Sequence, residues 1–147
     1  MAIQMELMSA QTTAAVAQIE AECFSNPWSH DAFIAELSNP GAVTFVAKSD
    51  DDIAGFINLG FVLDEASVNN IAVKKVYRRQ GVGKALLNAA IAYCRDNRLH
   101  LLMLEVRKSN LSAIALYEQF GFQAVGFRKR FYSDPEEDAI LMNKILL

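Results

Sequence analysis

The stretch Tyr77-Arg78-Arg79-Gln80-Gly81-Val82-Gly83-Lys84 joins an apolar run ending at Val73 to a segment in which Leu86, Leu87, Ala90, Ile91 and Cys94 recur at helical spacing. Few arrangements accommodate such a join. Glycine admits backbone conformations closed to other residues and lets a ligand approach the main chain. The first N–H groups of the helix that follows, at the positive end of its dipole, attract an anion. Arg78, Arg79 and Lys84 surround that point with positive charge. The segment reads as strand, phosphate-binding loop and helix; the competing reading is a solvated basic loop at an ordinary helix start.

Two common phosphate motifs are excluded. A P-loop needs four residues between its glycines and Ser or Thr after the lysine, whereas Val82 alone separates Gly81 from Gly83 and Ala85 follows Lys84. The dinucleotide fingerprint fails at Leu86, where its third glycine belongs.

The rest of the chain supplies a scaffold for that loop. Residues 3–8 alternate weakly, as in a strand, and Val16, Ile19 and Cys23 mark a helix over 11–23. Ser29 caps a second helix with Phe33, Ile34 and Leu37 on one face, stopped by Asn39-Pro40-Gly41. Val43–Lys48 and Ile53–Leu63 read as strands joined by the polar turn Ser49–Asp52, and Ala66–Val73 as a third. The helix opened by Gly81 runs to about Asn97. Leu101–Val106 is a continuous apolar run, expected for a strand covered on both faces. Asn110 caps a helix carrying Ala113, Ile114, Leu116, Tyr117 and Phe120, which Gly121 ends. Phe122–Tyr132 and Ala139–Leu146 follow as strands around the acidic loop Ser133–Asp138. The predicted fold class is therefore α/β (α+β mixed), a central mixed sheet of about seven strands with helices on both faces.

A chain of 147 residues suits a single domain spanning 1–147, and 52% hydrophobic with 21% charged residues supports a packed core rather than disorder. The formal charge of −3 argues against direct nucleic-acid binding. Cys23 and Cys94 both fall in apolar helical patterns and read as core thiols, while His30 and His100 lack metal-ligand spacing, so no metal is expected. The stretch Met1–Met8 has no basic n-region and carries Glu6 among its apolar residues. No later run reaches membrane-spanning length, so a soluble cytoplasmic protein is expected, with no membrane partner.

Two polar side chains stand out. Glu105 lies in Leu-Leu-Met-Leu-Glu-Val, where a carboxylate must be paired, protonated or placed at a cleft. An ion pair with Arg107 on the same strand face and a position at a reaction cleft both remain open. Tyr117 is seven residues beyond Asn110 and shares its helix face, about 10 Å along the axis; it is either an amphipathic packing residue beside Ile114 and Phe120 or a proton donor. Trp28 reads as a core anchor or a groove wall. The run Asp134, Glu136, Glu137 and Asp138 reads as a solvated turn or a contact for a basic peptide.

Arg78-x-x-Gly81-x-Gly83 resembles the Arg/Gln-x-x-Gly-x-Gly/Ala signature of the GNAT superfamily of acetyltransferases. Leu104–Asn110, Ala113–Glu118 and Gly121-Phe122 are similar to that superfamily's second coenzyme-binding segment. Asn26-Pro27-Trp28-Ser29, Leu63-Asp64-Glu65-Ala66, Asn70–Val73 and Glu137-Asp138-Ala139 resemble the branch that acetylates the N-terminal alanine of a small-subunit ribosomal protein; the chain departs from it at Ser133, where proline is frequent. The resemblance implies acetyl-CoA as cosubstrate and the N-terminal segment of a ribosomal protein as acceptor. It implies that the backbone of Ile71, Ala72 and Val73 pairs with the pantetheine arm, and that Arg78, Arg79, Gln80, Gly81, Val82, Gly83 and Lys84 hold the diphosphate. Asn110 would meet the arm, Glu105 would accept a proton, and Tyr117 would donate one to the departing thiolate. Acetylation of lysine or a small amine, and a non-catalytic coenzyme-A-binding module, are the alternatives.

Overall fold

The computed structural model describes residues 2–147. In chain order the elements are β1 (Ile3–Leu7), α1 (Thr13–Cys23), α2 (His30–Glu36), β2 (Ala42–Ser49), β3 (Asp52–Val62), β4 (Glu65–Val73), a 3₁₀ turn (Lys75–Tyr77), α3 (Val82–Asp96), β5 (Leu101–Arg107), α4 (Leu111–Gln119), β6 (Gln123–Tyr132) and β7 (Glu137–Ile145). The strands form one sheet in the order β1-β2-β3-β4-β5-β7-β6. Among the described residues only the central pair, β4 with β5, is parallel. The expected mixed sheet is thus observed, with the expected alternation of elements.

Local chemistry sets the helix starts. Ser29 Oγ accepts from the Ala32 N–H at 3.1 Å, and Asn110 Oδ1 from the Ala113 N–H at 3.3 Å, each satisfying a donor that the helix cannot. α3 begins differently, behind Gly81 at φ 85°, with no side-chain cap and no acidic residue in its first turn.

Two apolar layers cover the sheet. α3 and α4 pack on one face, over Ala54, Ile57, Leu59, Leu102, Leu104 and Val106. On the other, α1 and α2 bring Val16, Ile19 and Phe33 against Val46, Ile53 and Phe56. The Phe33 ring meets Phe56 edge-on at 5.5 Å and Trp28 at 5.4 Å. β3 is consequently the strand buried on both faces. β5, expected to be covered on both, buries Leu102, Leu104 and Val106 under the α3 side but leaves Glu105 exposed on the other. The cause is its neighbour: β4 and β5 pair only through Glu65–Ser67 against Leu101–Met103, and then separate.

Other differences are small. The turn after β2 contains Asp50 and Asp51 alone, because Ser49 and Asp52 pair. β7 begins at Glu137, so half of the acidic run belongs to the β6–β7 ladder. Opposite Asn58, β4 carries the extra residue Asn69 in a bulge, which bends the strand near the point where it leaves β5.

Gly55 faces the last part of β4, and a Cβ there would stand 2.7 Å from the Ala72 carbonyl oxygen and 3.3 Å from the Val73 Cα. Neither backbone atom can swing aside. Gly55→Ala should destabilise the protein by about 1–3 kcal/mol, lowering the melting temperature in a thermal unfolding scan by roughly 2–12 °C for a chain of this size.

Candidate active site

The separation of β4 from β5 opens two adjoining cavities of about 840 and 850 Å³. Cys23, Phe24, Ile71, Asn110 and Tyr117 border both, so the cavities meet at these residues.

The second cavity is bounded by Arg78, Arg79, Gly81, Val82, Gly83 and Lys84, with Ala72 and Val73 alongside from β4. A side chain at residue 81 would find open space but a strained backbone. The uncapped N–H groups of α3 therefore face this cavity together with two guanidinium groups and an ammonium, a donor set that suits a diphosphate. Gln80 is the exception among the nominated residues: its amide turns back to donate to the Val76 carbonyl at 3.1 Å. Past Ser67, β4 pairs with β3 alone, so Ile71 to Val73 have one edge without a strand partner. An amide-bearing arm fits such an edge as an added strand would. The loop is tied to β4 where it leaves, because Arg78 Nε donates to the Val73 carbonyl at 3.2 Å and Arg78 Nη2 approaches Cys23 Sγ at 3.5 Å. Asn110 caps α4 through its oxygen and borders both cavities.

In the first cavity the ion pair considered for Glu105 does not form. Arg107 instead turns to the β6–β7 connection, with Nη1 reaching Glu137 Oε1 at 3.3 Å and the Pro135 carbonyl at 2.9 Å, and Nη2 the Ser133 carbonyl at 3.2 Å. Its guanidinium also lies 4.5 Å from the centroid of the Tyr132 ring. Four partners on one connection outcompete a single neighbour on the same strand. Glu105 is left exposed on the cavity wall, the cleft position among its alternatives.

The acidic run is only partly a solvated turn. Glu137 Oε2 accepts from the Ser109 N–H; the Ser109 hydroxyl first, then this backbone bond and the Arg107 guanidinium, hold its carboxyl below the usual range against an opposing effect of burial. Asp138 Oδ1 accepts from the Arg130 N–H at 2.9 Å.

Tyr117 is 7% exposed and packs edge-on against Phe122 at 5.8 Å. Burial, and secondarily the Tyr132 phenol, pushes its hydroxyl up to about 12. Tyr132, which sequence reasoning did not select, lines the first cavity. Its own hydroxyl is pushed up to about 12 by burial and then by the negative charge of Glu105, with Arg107 opposing. Tyr132 thus links Tyr117, whose hydroxyl it raises, to Glu105, which raises its own, and all three line one cavity. Half-buried Trp28 serves both roles considered for it, stacking near Phe33 and walling this cavity.

Sequence reasoning also missed Glu20 and Asn70. Glu20 Oε2 accepts from the Trp28 N–H at 3.0 Å and the Asn70 amide at 2.7 Å. The available signal was spacing: Glu20 is four residues after Val16, on the stripe that α1 buries. Among the described residues no group of three His, Cys, Asp or Glu could hold a metal ion, and no helix is long and apolar enough to cross a membrane.

Residues 13–122 match the Acetyltransferase (GNAT) family. The ribosomal protein bS18-alanine N-acetyltransferase of Escherichia coli (strain K12) is 41% identical over 128 residues, covering 84% of each chain. The enzyme of the same name from Salmonella typhimurium is 37% identical over 140 residues, covering 92% of this chain and 93% of its own. The crystal structure of the ribosomal-protein-S18-alanine N-acetyltransferase from Escherichia coli superposes with a TM-score of 0.91 at 35% identity, covering 99% of this chain and 94% of that one. With the glycine-containing basic loop, the parted strands and the family match in agreement, the chain belongs to the GNAT acetyltransferase family, whose fold uses acetyl-CoA, and is an acyltransferase.

Proposed function

We propose that this acyltransferase, acting as one domain over residues 1–147, moves the acetyl group of acetyl-CoA to the N-terminal α-amino group of a small-subunit ribosomal protein that begins with alanine. The observation that carries this reading is the junction of the two cavities, where Tyr117 borders both and Glu105 stands on the acceptor side. The relatives that are 37–41% identical over most of the chain, and whose names carry the same acceptor, support it.

In this reading Arg78, Arg79 and Lys84 hold the diphosphate with the N–H groups that follow Gly81. The pantetheine arm lies along Ile71, Ala72 and Val73 and meets Asn110, which delivers the thioester to Tyr117. Attack then requires a neutral amine. An α-amino group near pKa 8 is about one-tenth neutral at pH 7, whereas a lysine near 10.4 is neutral at only a few parts in ten thousand. A single exposed carboxylate is an adequate proton acceptor for the first and a weak one for the second. Glu105 takes one proton from the ammonium, directly or through water, and the amine nitrogen bonds to the acetyl carbon; the carbon–sulfur bond then breaks with the Tyr117 hydroxyl donating a hydrogen bond to the departing sulfur, and the second proton shed by the nitrogen ends on that sulfur.

Glu105→Gln keeps the size of the side chain and removes its basicity, so acetyl transfer should slow by about 10² to 10⁴. Part of the loss should return at higher pH, where more amine arrives neutral. Mass spectrometry of a reacted peptide that begins with alanine and contains an internal lysine should find the acetyl group on the α-nitrogen. Faster modification of the lysine would overturn the acceptor assignment.

Tyr117→Phe should lower the single-turnover rate while leaving acetyl-CoA affinity nearly intact. It also has a stability signature. Because burial raises the folded-state pKa to about 12 from an ordinary 10, the fold favours the protonated phenol. That contribution is complete below pH 10 and disappears as pH rises through 12. In denaturant titrations across pH 10 to 12, stability of the Phe variant should therefore decline less steeply than that of the parent.

A further inference from the structure

Glu20 is 1% exposed and Asn70 9%, and both border the first cavity beside Glu105 and Tyr117. The carboxyl acts as an acceptor in both its bonds, through Oε2, to the Trp28 N–H and the Asn70 amide. Glu20 Oε1 and Asn70 Oδ1 are buried and have no donor. Among the described residues no cationic side chain pairs with Glu20.

Packing alone does not require this residue. A glutamine has the same shape; its oxygen accepts both existing bonds, and its NH₂ has a hydrogen to offer Asn70 Oδ1. It also avoids burying a charge without a partner. What the pair of acceptors lacks is a positive group rich in N–H donors. A primary ammonium has the charge and three such donors, and the cavity that Glu20 borders is the one on the acceptor side.

We propose that Glu20, fixed by the Trp28 N–H and Asn70, is the anionic group that draws and orients the acceptor's ammonium in the first cavity. Glu20 is a positioning and specificity residue, separate from the proton acceptor Glu105. Shielded from bulk water, its charge acts on a cation in the cavity with less dielectric screening than a surface carboxylate would. The inference rests on reading that cavity as the acceptor side of an amine acetyltransferase.

The test is Glu20→Gln, assayed with an alanine-initial peptide and compared with the parent. The melting temperature should stay level or rise and acetyl-CoA affinity should be unchanged, while KM for the peptide rises tenfold or more and kcat falls by a smaller factor. Glu20→Asp, which keeps the charge on a shorter arm, should recover part of the KM. A folded Gln variant with peptide KM within twofold of the parent would make Glu20 a neutral packing group and overturn the inference. The N-terminal reading would stand in that case, since the parent still modifies the peptide. Should the parent leave the α-amine untouched and modify another primary amine, the N-terminal reading fails, and the same KM criterion on that amine decides Glu20. If the Gln variant does not fold, calorimetry on the CoA-loaded parent decides: the free peptide should bind at least tenfold more tightly than its des-amino analogue, and equal affinity overturns the inference.

Discussion

The early parting of β4 from β5 governs the rest of the molecule. The two strands run together for three residue pairs only, after which β4 is held by β3 and β5 by β7, each on its far side. Backbone N–H and C=O groups left without partners cost about 1–3 kcal/mol each when buried, so the freed edges must face solvent or a ligand able to pair with them. That requirement places a wedge in the middle of a sheet whose other neighbouring strands pair along most of their length, with only local bulges. The Asn69 bulge and the close fit of Gly55 beneath Ala72 help define the course of β4 at the wedge.

Charge is arranged unequally about this wedge. The chain is acidic overall, at −3, yet one cavity is edged by Arg78, Arg79, Lys84 and the positive end of α3, and the other by Glu20, Glu105 and Asp134, its guanidinium, Arg107, being taken up by Glu137. The family's donor is an anion and an amine acceptor arrives as a cation. Opposed local fields sort two such reactants to opposite sides of one junction, which net charge alone would not reveal.

The features legible in the sequence were those written in local chemistry. Ser29 and Asn110 cap as their residue types suggest, Gly81 takes the left-handed conformation its place requires, and the apolar face of α3 is the one its spacing specifies. The features that escaped depend on which distant segment arrives first at a side chain. Nothing near Arg107 in sequence signals that Ser133, Pro135 and Glu137 claim it, or that Glu105 is thereby left to the cavity. Leu101–Val106 looked doubly buried because an apolar run does not record how far its neighbour stays alongside. Tyr132 and Glu20 were hidden in the same way, the first behind an apparent turn and the second within a helix that also carries exposed glutamate at Glu22.

The raised pKa of Tyr117 constrains the timing of the proposed chemistry. A thiolate with an ordinary pKa near 8.5 facing a phenol at about 12 makes full proton transfer uphill by about 3.5 units, roughly 5 kcal/mol. A stepwise transfer to a fully formed thiolate would therefore be unfavourable by itself. A hydrogen bond that strengthens as the carbon–sulfur bond lengthens avoids that intermediate, since the phenol need only stabilise developing charge. The acetylated nitrogen must also shed a proton as the tetrahedral species collapses, and that proton can balance the one the sulfur finally keeps. Burial of Tyr117 thus favours a donor that stays neutral throughout, with net transfer running from nitrogen to sulfur and Glu105 handling the proton removed before attack.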